Sequence, residues 1–525
     1  MKLHIKNVFL LKLSTLLIIA LLVGCDDGLE FSPTGSVTEE MYWQRASDAE
    51  TAVNAVYASL DGLTMVLQLD GVTDISYRAG SGPGTLHDVT AGNIVASNSA
   101  ITSIWDRYYV GLRRANDVIA NIDQVELGDT SLLNRVEAEA RFLRAYYYTQ
   151  LTSLWGDVPF PLEPTTITDN IPRTPKDEIV TFIMNELNDI INSNALPTSY
   201  SGDNVGRATH GAALALKARV ALRNSMWIDA KDASQAVMDL GVYELYPDYQ
   251  ELFQRDGQNS SEIIFDRQYT ESGDTYNAFT YSASSLGGNS LVEPIHKFYE
   301  KFEFKGPRNP DDPYENIDPR WNHTVYYTGQ PRFDGDSRGY DSRPSSNTAD
   351  RVNSTEASTQ HGYNLKKWVD HEAYSANASN GSTNMILIRY ADVLLMYAEA
   401  KIELDEIDQS VYDAINKIRQ RPTVEMPPIE GPHSQDELRE ILRNERVVEL
   451  GFEGLRLYDM NRWRIGEEKQ GQVFGAHFQR PDGEWYLQTI GFTRQFNPDR
   501  DYLWPIPSAE INNNDSITQN NPGYN

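Results

Sequence analysis

Nine stretches of this chain place apolar residues at spacings of three and four over ten or more positions, and most are rich in alanine. They cover 47–60, 99–122, 131–154, 175–191, 209–223, 227–240, 387–404, 410–419 and 434–450. That spacing gathers the apolar side chains on one face of an α-helix, so the fold must bury a long series of helical faces against one another. In 131–154, Val136, Ala140, Leu143, Tyr147 and Leu151 share a face, Ser131 is placed to cap the start, and Trp155-Gly156-Asp157-Val158-Pro159 stops the helix. In 209–223 small residues recur on most turns, which lets a neighbouring helix approach closely. The expected fold class is mostly α.

The next helix follows 209–223 after a few residues. Such helix, short turn, helix units look like tetratricopeptide-type hairpins, here degenerate and interrupted, with no fixed period of roughly 34 residues. A second kind of sequence fills 65–98 and 243–384, where Gly, Asn, Asp, Ser and Pro separate short β-like pieces such as 262–265 and 324–327. Loops of that length in a folded chain are usually binding loops or disordered segments, and their density of Tyr, Phe and Trp argues against disorder. The segment 334–350 is the part expected to be most mobile. The domain organisation expected is a single folded unit over 46–525. Its parts are a helical portion (46–242), a loop-rich variable region with short β segments (243–384) and a second helical portion (385–525).

The first residues bear on location. Lys2, Lys6 and Lys12 lead into an uncharged run over 13–24 that ends at Cys25, the only cysteine. The run is shorter than the ~20 residues that cross a bilayer. It resembles a bacterial lipoprotein signal, which implies that 1–24 is removed, that Cys25 is lipidated and that 25–45 is a tether. The chain would then be anchored to a membrane without spanning it. Asp26 and Asp27 resemble the surface-export signal of Bacteroidetes lipoproteins.

A formal net charge of −29 argues against nucleic acid as a partner, because such a surface repels polyanions, and it favours a neutral ligand over a sulfated one. With one cysteine there is no disulfide framework, so an ordinary large core must hold the fold.

The cluster Arg443-Asn444-Glu445-Arg446 with Glu449 puts two carboxylates on one helical face. Arg443 and Arg446 lie within a turn of them, so ion pairing is expected to keep these groups from acting as general acids. Asp392 and Glu399, near Arg389, read the same way. Paired carboxylates of a glycoside hydrolase remain an alternative, since spacing in sequence does not set their separation in space. The histidines follow no metal-ligand spacing, and 334–339 begins like a calcium loop but carries Arg338 where an oxygen ligand belongs. No metal, cofactor or catalytic group is expected.

A sugar ring needs an aromatic face and bidentate hydrogen-bonding partners. The stretch from Asp70 through Asp74, Tyr77, Arg78, His87, Asn93 and Asn98 supplies both, and so does 269–281 with Tyr276, Asn277, Phe279 and Tyr281.

Several segments together resemble the SusD/RagB family of outer-membrane nutrient-binding lipoproteins. They include Glu139-Ala140-Arg141-Phe142-Leu143-Arg144-Ala145-Tyr146-Tyr147, Leu154 to Pro159, Gly206-Arg207-Ala208-Thr209, Asp318-Pro319-Arg320, Arg389-Tyr390-Ala391-Asp392 and Leu503-Trp504-Pro505-Ile506-Pro507. The resemblance implies four tetratricopeptide-like hairpins packed against a variable region. It also implies an outer-leaflet position over a SusC-like TonB-dependent transporter and a role in capturing oligosaccharide for import. The family's nutrient also varies, so a peptide ligand or a purely structural lid stays open. By the resemblance, ligand contacts come from the two aromatic regions, with Asp74, Tyr77, Arg78, His87, Asn93, Tyr276, Tyr281 and Trp321 as candidates. Trp321, after Asp318-Pro319-Arg320, also stands where a packing residue is expected.

Overall fold

The computed structural model describes residues 42–524, apart from 80–83, 126–128, 167–168, 271–272, 274, 277–279, 333–334, 353–358 and 371–380. Cys25, its leader and its tether, and Asn277 and Phe279, lie outside the described residues.

The amphipathic stretches fold as helices over Ala46–Tyr57, Ser99–Asn121, Thr130–Trp155, Lys176–Ser193, His210–Arg223, Trp227–Asp239, Tyr390–Glu403, Gln409–Arg419 and Gln435–Leu450. Three-residue and five-residue connections, after Arg223 and after Glu403, turn the chain back so that consecutive helices pack side by side. Two caps follow from side-chain chemistry. Thr209 accepts from the Ala212 amide at 3.0 Å, and Ser434 with Glu437 forms a reciprocal capping box. The 130–155 helix is capped by Asp129, which accepts from the Ser131 amide, and not by Ser131 itself.

The 387–404 expectation needs a correction. Met385–Arg389 is a strand, and the helix starts at Tyr390. The strand pairs antiparallel with Ile263–Arg267, Ile263 opposite Arg389 and Arg267 opposite Met385. Long-range pairing overrides the local helical pattern because both Ile386 and Ile388 are buried in it.

Two cores result. The larger is helical and runs from Trp43 through Trp105, Tyr147, Trp155 and Leu222 to Leu394, Ile415 and Trp504, so both helical portions share it. The second joins the variable region to the C-terminal portion through Tyr249, Phe253, Phe298, Trp321, Trp368 and Phe452. Tyr340, inside the stretch expected to be mobile, is buried and stacks on Tyr326 at 5.7 Å. A hairpin of Gly471–Gln479 and Trp485–Arg494, turning at Asp482-Gly483, was not anticipated by the helical reading. Its Asp-Gly turn between runs with buried Val473, Ala476 and Phe478 was the available signal.

A lattice of buried ion pairs ties these parts together. Glu449, fully buried, meets Arg320 at 3.0 Å, Arg389 at 2.8 Å and Arg421 at 2.9 Å. Arg389 also holds Glu262 and Glu453, both at 2.7 Å, and Glu445 joins Arg320 and Arg419. Ion pairing of Glu445 and Glu449 is therefore present, but the cations come from distant segments. Arg446 pairs with Asp392 and Asp459 instead, and Arg443 lies over the Trp463 ring. Burial alone would raise the Glu449 carboxyl's pKa, and the surrounding guanidinium groups outweigh it, holding it far below the usual range. Because Arg389 ends the 385–389 strand, the lattice also fixes the 263–267 strand beside it, and so the residues that follow Arg267.

Candidate functional site

A pocket of about 600 Å³ opens where three segments meet. The first is the Leu63–Asp70 helix, lying in a stretch read as loop from sequence. Its Leu63, Met65, Val66, Leu67 and Leu69 are all buried, so it shows no amphipathic period to recognise. It contributes Thr64, Met65 and Gln68. The 99–121 helix contributes Ala100, Ser103, Ile104 and Arg107, again at spacings of three and four on one face. Met65 and Ile104 are buried, while Thr64, Ser103 and Arg107 are exposed.

The third wall is built by non-local contacts. Beyond the 263–267 strand, the Tyr269 amide donates to Asn384 Oδ1 at 3.0 Å, and Tyr276 exchanges backbone hydrogen bonds with Gly381 at 3.0 and 2.8 Å. At two of these approaches a side chain fits only if a tyrosine moves. A Cβ at Gly381 would stand 2.6 Å from the Tyr276 ring, and one at Gly62 would stand 2.4 Å from the Tyr269 hydroxyl. The Tyr269 and Tyr276 rings meet edge to face with centroids 5.2 Å apart, and the Arg267 guanidinium lies 5.2 Å from the Tyr269 ring. Burial pushes the Tyr276 hydroxyl up to about 12, so it stays a neutral hydrogen-bonding group. Aromatic carbon, an amide, hydroxyls and guanidinium groups around a cavity of this size suit a polyhydroxylated ligand.

The candidate residues fall into three places. Tyr276 lines the pocket. Tyr281 is buried behind it, its hydroxyl donating to the Thr64 carbonyl at 3.2 Å and lying near Gln68 and Arg78. Half-buried Arg78 donates to the Ala79 carbonyl at 3.2 Å. Tyr77, in the Ser76–Arg78 strand, forms a separate aromatic group with His361 at 4.6 Å, Phe492 at 5.6 Å and His87 at 5.9 Å. Asn93 is exposed next to the His87–Ala91 helix. None of Tyr77, His87 and Asn93 lines the pocket.

Asp74 and Trp321 have no solvent face. Arg456 grips Asp74 with two hydrogen bonds of 2.8 Å. Burial would raise this carboxyl's pKa, and the arginine prevails, bringing it to about 2. Trp321 sits in the second core among Phe302, Tyr314 and Tyr363. Trp368, open in the sequence reading, is also buried, its indole donating to the Phe452 carbonyl at 2.8 Å. The pocket residues that sequence reasoning left unnamed include Gln68, Ser103, Arg107 and Arg267, while Tyr269 stood only as the first residue of the 269–281 stretch. The polar positions of the 99–121 helix, 103 and 107, were a readable stripe, whereas Gln68 and Arg267 gave no signal.

Among the described residues, no group of three or more His, Cys, Asp and Glu is arranged to hold a metal ion, and no helix is long and apolar enough to cross a membrane.

The profile described as "SusD family" matches residues 261–524, just over half of the chain. The chain belongs to the SusD family. A second profile, "Starch-binding associating with outer membrane", matches residues 39–222 of this SusD-family protein. It is similar to "SusD-like protein P2" of Formosa agariphila, 28% identical over 98% of this chain and 99% of the relative. Among solved structures it resembles a SusD-like carbohydrate binding protein from Bacteroides fragilis, with TM-score 0.83 and 28% identity over 90% of this chain and 99% of the other. A second SusD-like protein from that species gives TM-score 0.79 and 28% identity over 93% and 99% of the two chains.

Proposed function

We propose that the chain is a glycan-binding lipoprotein of the outer membrane, and that the pocket between Gln68, Arg107 and Tyr269 holds a neutral oligosaccharide. The glycan is captured without turnover and passed to a SusC-like TonB-dependent transporter, with Cys25 as the lipid anchor on the extracellular side. The observation that carries this reading is the half-buried Tyr269 ring, braced by Tyr276 and Arg267 and facing two polar helix edges. A sugar face can lie on the ring while its hydroxyls reach Gln68, Thr64, Ser103 and Arg107. Two lines of kinship support the reading: the starch-binding description of the profile over 39–222, and a 28%-identical relative named as carbohydrate binding. The most conspicuous carboxylate pair, Glu445 and Glu449, is buried in ion pairs and offers no general acid for hydrolysis.

One or two stacked rings and a few hydrogen bonds give micromolar to millimolar affinity, about −4 to −8 kcal/mol, which suits a protein that must also release its ligand. The test is calorimetric titration of the full chain in detergent against neutral polysaccharides, acidic polysaccharides and peptides, in parent and Tyr269→Ala forms, with chromatography of each glycan afterwards. A neutral glycan that binds the parent, is lost by the variant and is recovered intact is the expected result. Binding of peptides alone, or shortened glycan, would overturn it. Copurification with an outer-membrane barrel, unaffected by Tyr269→Ala, tests the transporter partnership separately.

A further inference from the structure

A second pocket, of about 530 Å³, departs from the rest of this acidic chain. It is lined by Arg173, Lys176, Arg223 and Arg464, none of which has a carboxylate within ion-pair distance among the described residues. Arg173 donates to the backbone carbonyls of Asp157 and Gln519 and to Asn521 Oδ1. Arg223 donates to Gln150 Oε1 at 2.8 Å and lies 3.7 Å from the Tyr458 ring centroid, and Arg464 lies 3.6 Å from that of Tyr502.

Three nearby acids, Asp157 of the lining among them, are already engaged. Asp157 caps the 176–193 helix by accepting from the Lys176 amide at 2.8 Å, Asp459 is shared by Arg446 and Arg462, and Glu467 accepts the Tyr502 hydroxyl at 2.7 Å. Asp177 is exposed in the first turn of that helix. Arg462, also in the lining, is neutralised by Glu399 and Asp459. Burial depresses Lys176 and the Arg223 charge adds to this, while Asp177 and Asp157 oppose it without forming an ion pair. Cations without an ion-paired carboxylate, gathered around a concave, ligand-sized cavity, favour an anionic ligand. The aromatic faces here are occupied by guanidinium groups, so the pocket has no stacking platform for a bare sugar.

We infer that this pocket is a binding site for a compact oxyanion of the phosphate or sulfate type, free or carried as an ester on a sugar. It is separate from the glycan pocket and does not depend on it, since the two share no lining residue. Planar guanidinium forks from Arg173 and Arg223 supply directed donors, and Lys176 supplies a point charge.

The experiment uses the full chain in detergent, with inorganic phosphate and sulfate as probes against chloride at matched ionic strength. Glucose 6-phosphate and glucose 6-sulfate are compared with glucose. Thermal unfolding is expected to shift upward by about 2–4 °C in one or both oxyanions, and calorimetry is expected to give binding at least tenfold weaker in Lys176→Gln and in Arg464→Gln. Arg464 is exposed, so its variant keeps the fold even if a change at half-buried Lys176 does not. Tyr269→Ala leaves the oxyanion response unchanged. Equal affinity for ion and ester identifies the free ion as ligand, and at least tenfold tighter ester binding identifies the sugar ester. Unfolding that is the same in chloride and in every oxyanion, or a shift that persists undiminished in both variants, overturns the proposal.

Discussion

The Glu449 lattice and the Tyr269 pocket are built from the same kinds of residue and do opposite things with them. In the lattice, Arg320, Arg389 and Arg421 are buried, and each forks onto two or more acceptors. In the pocket, Arg107 is exposed and Arg267 is half-buried against a tyrosine ring. The densest charge cluster in the sequence is thus scaffold, since buried charges persist only when fully partnered. The recognition surface uses polar groups that keep access to water and can exchange it for a ligand. Charge density in a sequence therefore points to architecture as readily as to chemistry, and exposure separates the two.

Breaking the lattice should give the largest effect. Glu449→Ala leaves three arginines short of a partner in a dry site and is expected to cost on the order of 3–5 kcal/mol in denaturant unfolding, with glycan affinity of the folded fraction retained. A loss below about 1 kcal/mol would erase the contrast.

Asp70 lies between the two regions, ending the 63–70 pocket helix and accepting from the Gly454 amide at 2.7 Å. Burial pushes its carboxyl up to about 7. The folded state then binds about one more proton than the unfolded chain between pH ~4 and ~7, so this group's contribution to stability is present at low pH and lost as pH rises through that window. Asp70→Asn should flatten the decline, a difference on the order of 4 kcal/mol across it, read from unfolding curves at several pH values.

On the pocket side, Tyr269→Ala is expected to weaken glycan binding about tenfold or more, ~1.4 kcal/mol, with a smaller effect on unfolding. A variant that unfolds without a binding defect would make the ring scaffold too. Gly62→Ala sharpens this point, because it displaces the Tyr269 hydroxyl and should weaken binding while the lattice stays intact. The smallest change is at the solvent-facing Arg480–Glu484 pair, where Glu484→Gln should stay within about 0.5 kcal/mol of the parent in the same unfolding assay.

The amphipathic repeats and the two aromatic loop regions are readable from sequence because helix periodicity and local composition act over a few residues, whereas the expected cap at Ser131 proved to be Asp129. The 65–70 segment, the 385–389 strand and the true partners of Glu445 and Glu449 are not. Each depends on contacts between separate segments, 26 to 129 residues apart, or on burial from all sides, which removes the periodic signal.

Sequence alone thus determined a mostly helical SusD-family scaffold, and it pointed to 65–98 and 269–281 as the places to look. Only the tertiary structure decided which side chains of those stretches face a cavity. It buried Asp74 against Arg456 and Trp321 among aromatic rings, and it opened Gln68 and Tyr269 to a shared pocket. The physical reason is that residue type sets what a side chain can bind, whereas access to solvent is set by which distant segments pack over it.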